Sequence, residues 1–121
     1  MNPYLNNVFV GETASFSSRG PVQGLGQVKP DVTAPGMQIL AGNSPINNTF
    51  GAQGELFQSI AGTSMSSPHV AGLFALLKQA HPDWTAAAAK SALMTTAYQD
   101  VVDNDRESPA GVFDMGAGHV D

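Results

Sequence analysis

The sequence has no cysteine, few charged residues and no long apolar run. Without cysteine, disulfide bonds, thiolate metal sites and cysteine nucleophiles are excluded. Charged residues make up 12% of the chain, and its formal net charge of −5 argues against nucleic-acid binding, which needs clustered Lys and Arg. No stretch approaches the roughly 20 apolar residues that cross a bilayer, and the first residues lack the basic and apolar regions of an export signal. We therefore expect neither a nucleic-acid partner nor a membrane span.

The first half of the chain is rich in Gly and Pro and predicts short extended segments. With 121 residues, of which 42% are hydrophobic, the chain is one globular unit or part of one. Residues 12–21 (ETASFSSRGP) predict a short strand that ends in a turn at 19–21. Residues 37–41 and 55–62 predict two further strands, and Asn, Pro and Gly at turn density predict a surface loop over 42–54.

The second half predicts two helices and a terminal strand or turn. After Gly62, apolar residues recur at i, i+3, i+4 and i+7, on one helical face: Val70, Leu73, Phe74 and Leu77. That helix should end near His81 and Pro82, because a proline disfavours a helical residue before it. Thr85 is a suitable cap for the next helix, from Ala86 to about Ala97. Residues 100–111 predict an acidic loop, and 112–121 a last strand or turn.

Residues 62–72, GTSMSSPHVAG, place four hydroxyl side chains where a strand turns into a helix. The first N–H groups of a helix have no intrahelical acceptor, and the helix dipole adds partial positive charge there, which stabilises a developing oxyanion. A serine at this point can present Oγ to a carbonyl carbon while its own N–H faces the oxygen, as acyl transfer requires. Ser64 is the candidate, with Gly62 supplying the tight turn. Alternatively, Thr63 or Ser64 is only the helix N-cap, with Pro68 in the first turn.

The segment GTSMSSPHVAG resembles the nucleophile segment of the subtilisin-like serine peptidases. Four further stretches resemble that family in the same order: ASFSSRGP, KPDVTAPG, HPDWTAAAAKSALMTTA and FDMGAGHVD. The residues of these motifs are most similar to those of the cucumisin-like plant enzymes and of bacterial members with a protease-associated insert. The resemblance implies that residues 1–121 are the C-terminal segment of a catalytic domain, with 1–13 a poorly defined lead-in. It implies an α/β fold, a parallel sheet with flanking helices, which is incomplete in this chain.

The same resemblance implies a function for the helix start. Ser64 is then the nucleophile of an endopeptidase that forms an acyl-enzyme with a peptide or protein substrate, and its N–H is part of the oxyanion hole. The Thr63 hydroxyl is a candidate to assist there, and Gly62 a candidate contact for substrate. Met65 would be sensitive to oxidation, because a sulfoxide places a polar oxygen beside the reacting centre. No cofactor or metal is implied, and the expected location is extracellular or the cell envelope.

None of the three histidines is a suitable base for Ser64, which needs one within about 3 Å. His69 lies five residues later, roughly 140° around a helix, and is expected to be a buried, hydrogen-bonded helix histidine. His81 lies about 25 Å away along the same helix, and His119 belongs to a turn motif. In this family the order is Asp, His, Ser, and no DTG-, HGTHVAG- or AAGN-like segment occurs in the chain. The resemblance therefore implies the upstream half of the domain as a partner, and an inactive isolated chain.

Other interpretations remain open from the sequence. A non-catalytic binding or structural module could use the helix start at 62–68 to hold an anion or a peptide. An incomplete sheet would expose a strand edge and apolar surface, so self-association is expected. Residues 47–49 form a glycosylation sequon. The acidic residues of 100–107 lack the spacing of an EF-hand, so a solvated loop is preferred to a calcium site: Asp100, Asp103, Asp105 and Glu107.

Overall fold

The computed structural model describes residues 11–24, 26–46 and 53–120. The lead-in before residue 11, the sequon at 47–49 and part of the predicted loop lie outside these ranges. Within them the chain forms two strands and three helices: β1 (Ile39–Gly42), β2 (Phe57–Ile60), α1 (Thr63–Ala80), α2 (Ala86–Thr96) and α3 (Val112–Met115). No helix in the described ranges is long and apolar enough to cross a membrane.

Strands β1 and β2 form a two-stranded antiparallel sheet, with Ile39 opposite Ile60 and Gly42 opposite Phe57. Both predicted strands are confirmed, although each is shorter than its predicted segment. Side chains alternate between the two faces of a strand, and the isoleucine pair lies on the half-buried face. The other face carries Leu40 and Phe57, which are 70% and 64% exposed. The sheet therefore presents apolar side chains outward.

Helix α1 follows β2 directly, and its apolar face is the predicted one. The four periodic residues are half-buried, whereas Leu76 on another face is 62% exposed. The helix ends as expected at His81, whose N–H donates to the Leu77 carbonyl over 2.8 Å. The placement of Pro68 in the first turn is wrong, because it is the sixth residue of the helix. Since proline has no N–H, the Ser64 carbonyl four residues earlier has no α-helical donor.

Helix α2 begins at the predicted cap. The Thr85 Oγ1 accepts a hydrogen bond from the Ala88 N–H over 3.1 Å, which satisfies one of the free N–H groups of the first turn. Ala89 and Leu93, spaced four residues apart on one face, are buried, and α2 is in contact with α1. This contact builds part of a small core, whose buried apolar members in the described residues are Ala89, Leu93, Val101, Ala110 and Val120.

The elbow between α1 and α2, residues 81–85, is held by several contacts. The Lys78 Nζ donates to the carbonyl of Pro82 and, over 3.0 Å, to that of Trp84. The rings of His81 and Trp84 stack with their centroids 4.0 Å apart and their planes 8° from parallel. The Trp84 N–H also donates to the His81 carbonyl over 3.1 Å.

The C-terminal segment corrects one prediction. The first four residues of the predicted strand or turn at 112–121 form the short helix α3. The residues after α3 then lie against residues 31–33. Three backbone hydrogen bonds of 2.8–2.9 Å join the two segments: Ala117 N–H to Asp31 O, Thr33 N–H to Gly118 O and Val120 N–H to Thr33 O. Residues 98 and 119 exchange two more backbone hydrogen bonds of 2.8 Å.

The strand predicted over 12–21 is wrong. Only Glu12 forms a bridge, parallel to Val102, and the chain then turns, with the Ser17 N–H donating to the Ala14 carbonyl. The helices and small sheet are consistent with a partial α/β fold, but the predicted parallel sheet is not confirmed. Within the described ranges, parallel pairing is limited to two single bridges, Glu12 with Val102 and Thr33 with His119, and neither extends into a strand.

Candidate functional site

The candidate site is the junction of β2 and α1. Gly62 is the N-cap residue of α1, in extended backbone, and no side chain caps the helix. The Gly62 carbonyl instead accepts the Met65 N–H over 3.0 Å. The alternative in which a hydroxyl of Thr63 or Ser64 caps the helix is therefore wrong. Both are exposed, and the Ser64 hydroxyl forms no hydrogen bond with any of the residues that the structure describes.

A loop from another part of the chain supports this junction. The Gly62 N–H donates to the Gly36 carbonyl over 2.8 Å. Gly36 ends the motif KPDVTAPG (residues 29–36), so a hydrogen bond joins this motif to the GTSMSSPHVAG segment at the helix start. Gly62, Thr63 and Ser64 are consecutive residues at this helix start, and the Gly36 carbonyl holds the first of them by a hydrogen bond.

His69 is a hydrogen-bonded helix histidine, as predicted, although it is half-buried rather than buried. Its Nδ1 lies 2.7 Å from the Met65 carbonyl oxygen. Because a carbonyl only accepts, Nδ1 is the protonated ring nitrogen, and Nε2 carries the lone pair in the neutral ring. The imidazole is thus turned back along its own helix.

The other histidines are also used elsewhere. His81 stacks on Trp84 at the end of α1, and an 18-residue helix is about 27 Å long. The backbone of His119 pairs with that of Tyr98. Among the described residues no histidine forms a hydrogen bond with Ser64. The structure therefore gives Ser64 no base from this part of the chain.

A cavity of about 370 Å³ lies beside the helix start. On the α1 side it is lined by Thr63, Ser66 and Ser67, and the opposite wall comes from residues 12–18 and 30–37. The Oγ1 atoms of Thr13 and Thr33 in that wall are buried and have no hydrogen-bond partner among the described residues, and Thr13 is only 4% exposed. Buried hydroxyls normally have partners. These two residues could not be predicted from the sequence, because no local pattern signals an unpaired hydroxyl.

The charged groups of the site region are used in ion pairs. Asp31 lies 2.5 Å from the Lys29 Nζ and 2.7 Å from the Lys90 Nζ, and these two ammonium groups lower the pKa of its carboxyl. Arg19 pairs with Asp103 and, over 2.5 Å, with Asp114, which raises the pKa of the guanidinium. The pairs of Arg19 and of Lys90 join segments that are distant in sequence, whereas Lys29 and Asp31 are two residues apart.

The Asp105 carboxylate of the acidic loop is hydrogen-bonded to other residues of the same loop. The Asp105 carboxylate accepts from the Ser108 hydroxyl over 2.5 Å and from the backbone N–H groups of Glu107 and Ser108, and these bonds lower the pKa of Asp105. In the described ranges no group of three or more His, Asp or Glu side chains could hold a metal ion.

Comparison with known proteins gives a family match over nearly the whole chain. The model of the subtilase family matches residues 6–118. Subtilisin-like protease SBT1.4 of Arabidopsis thaliana is 49% identical over 121 residues, covering 89% of this chain and 15% of the relative. Subtilisin-like protease SBT1.3 of the same plant is 45% identical over 119 residues, with the same coverage of both chains. Subtilisin-like protease SBT3 of Solanum lycopersicum is 41% identical over 132 residues, covering 98% of this chain and 17% of the relative. The chain thus spans about one sixth of the length of these relatives.

Proposed function

Because the chain belongs to the subtilase family, we propose that it carries the nucleophile of a serine endopeptidase, Ser64. The observation that carries the proposal is the Ser64 hydroxyl on the second residue of α1, in an exposed residue with no hydrogen bond to any residue that the structure describes. A base takes the proton of the Ser64 hydroxyl as Oγ bonds to the carbonyl carbon of a peptide bond. The C–N bond then breaks as the base gives that proton to the leaving amine, and an acyl-enzyme ester remains for water to hydrolyse.

The helix start stabilises the oxyanion of this reaction. The N–H groups of the first two helical residues, Thr63 and Ser64, have no intrahelical acceptor, and the α1 dipole adds partial positive charge there. We assign the Ser64 N–H to the oxyanion hole and the Thr63 hydroxyl to an assisting role. Gly62, the half-buried N-cap residue of α1, is the proposed contact for substrate.

The remaining catalytic groups are proposed to come from the upstream half of the same catalytic domain. Three observations support this: no described histidine reaches Ser64, α1 has no buried residue, and the chain covers about 15% of its relatives. An 18-residue helix with a single charged side chain is more apolar than a solvent-exposed helix needs to be. The upstream half would cover α1 and supply the base, its orienting carboxylate and the second oxyanion donor. We therefore expect the isolated chain to be inactive, and place the parent enzyme outside the cell or in the cell envelope.

The proposal is tested with a chimeric protease, in which this chain replaces the matching segment of the Arabidopsis relative that is 49% identical. The chimera and the isolated chain are treated with a fluorophosphonate probe, and the adduct is located by mass spectrometry. Ser64→Ala and Ser66→Ala versions are the matched controls, because both remove one hydroxyl from the same helical segment.

The proposal expects labelling of the chimera at Ser64, its loss in Ser64→Ala alone, and none in the isolated chain. An inactive chimera beside an active host would contradict the catalytic role. A folded chimera that binds a peptide without hydrolysing it would favour the binding-module alternative. Labelling of the isolated chain at Ser64 would contradict the dependence on an upstream half.

A further inference from the structure

Gly36 has no room for a side chain, although its backbone conformation does not require glycine. A β-carbon built on it would lie well inside 3.0 Å of the Ser66 Oγ and 2.9 Å from the Gly62 carbonyl oxygen. Real β-carbons essentially never approach another heavy atom within 3.0 Å, so both of these neighbours would have to move. A serine hydroxyl can rotate away, but a backbone carbonyl cannot move without moving the chain.

The Gly62 carbonyl is itself bonded to the nucleophile segment. It accepts the Met65 N–H over 3.0 Å, and the N–H of the same residue donates to the Gly36 carbonyl over 2.8 Å. Gly36 is therefore in contact with Gly62 through a hydrogen bond and through van der Waals packing. Any displacement of Gly62 moves the first turn of α1, which carries the Ser64 N–H and Oγ.

We propose that Gly36 is a positioning residue for Ser64, because its carbonyl and its missing side chain together fix where α1 begins. The inference rests on the proposed function of Ser64 but concerns a residue 28 positions earlier in the chain. A misplacement of about 1 Å can reduce the rate of a catalysed reaction about 10²-fold. Gly36→Ala should therefore slow the acylation of Ser64 by about that factor without unfolding the protein.

Two readouts test this. In the chimera, the rate of fluorophosphonate labelling at Ser64 is compared for wild type, Gly36→Ala and Gly42→Ala. Gly42 is the matched control, because a β-carbon there would meet nothing within 4 Å. In the isolated chain, amide hydrogen exchange is measured at Gly62 and Met65. The Gly62 N–H donates to the Gly36 carbonyl and the Met65 N–H donates to the Gly62 carbonyl, so displacement of Gly62 weakens both bonds.

The expected result is slower labelling and faster exchange at both amides in Gly36→Ala, with Gly42→Ala like wild type. The double variant Gly36→Ala with Ser66→Ala separates the two neighbours: recovery of the wild-type rate would show that only the hydroxyl was in the way, and would overturn the proposal. Unchanged labelling and exchange in Gly36→Ala would also overturn it.

The outcome stays separate from that of the proposed function. If the wild-type chimera does not label, the catalytic role of Ser64 fails, and the exchange data alone then decide whether Gly36 positions the helix start. If Gly36→Ala does not fold, the proposal is tested by amide hydrogen exchange in the wild-type chain. The Gly62 amide should then exchange more slowly than the unbonded Thr63 amide beside it, and equal rates would overturn the proposal.

Discussion

The close approach of the C-terminal segment to residues 30–33 predicts a large effect of Gly116→Ala. Gly116 has a φ of +64° and is buried, and a β-carbon on it would lie inside 3.0 Å of the Pro30 and Asp31 carbonyl oxygens. Ordinary contact begins at 3.4 Å, and both neighbours are backbone atoms. The two segments would therefore have to separate.

The size of the effect follows from what holds the segments together. Their three backbone hydrogen bonds contribute about 1 kcal/mol each, and holding a non-glycine residue at this sparsely populated φ and ψ costs at least about 1 kcal/mol more. Gly116→Ala should thus lower the free energy of unfolding by about 4 kcal/mol. Gly26→Ala is the matched control, because Gly26 has a similar φ of +59° but nothing within 4 Å of the added carbon. It should cost about 1–2 kcal/mol.

The assay is urea unfolding of the two variants and wild type, followed by circular dichroism. With an m-value of about 2 kcal/mol/M, Gly116→Ala should shift the midpoint about 2 M lower, and Gly26→Ala by less than half of that. A Gly116→Ala variant that is unfolded without urea, beside a folded Gly26→Ala, would agree with the reasoning. Equal midpoints would refute it, because backbone strain alone would then explain both.

Three further predictions concern other parts of the molecule. Thr85→Ala should lower the free energy of unfolding by about 1 kcal/mol, because the Ala88 N–H loses its acceptor, and Thr85→Ser should not; thermal melts of both compare them. The pKa of Asp31 is lowered by Lys29 and Lys90, so its ion pairs stabilise the fold above the ordinary carboxyl value of 3.8 and are lost as the pH falls through the lower folded value. A urea series from pH 6 downward should show that loss, and the contribution should be absent in Asp31→Asn. The exposed apolar side chains of α1 and the β1–β2 sheet should make the isolated chain self-associate, and a concentration-independent monomer in sedimentation velocity would contradict this.

The sequence predicts what is encoded locally. Thr85 and the alanine run after it predict the cap and start of α2, and the i, i+3, i+4 spacing predicts the half-buried face of α1. Both patterns depend on neighbours within one or two turns, so they can be recognised without knowing which distant segments pack on the helices. The two strands were also predictable, because Gly and Pro limit them on both sides.

The failures concern groups whose partners are distant in sequence. Residues 12–21 have a composition that favours extended backbone. A strand also needs a neighbouring segment along its whole length, and among these residues only Glu12 forms a bridge. The segment that begins at Val112 forms the short helix α3, whose start is stabilised because the Asp114 carboxylate accepts the Gly111 N–H over 2.8 Å. The support of Gly62 by Gly36 depends on a contact across 26 positions, which periodicity does not reveal.

The elbow at residues 81–85 has a mechanical consequence. Its ring stack and the Lys78 bonds to two carbonyls leave little freedom between the two long helices. The angle between α1 and α2 is thus set by contacts that the end of α1 makes with the five residues after it. The opposite end of α1 is the turn that holds Ser64, so the elbow and the candidate nucleophile lie at the two ends of one helix.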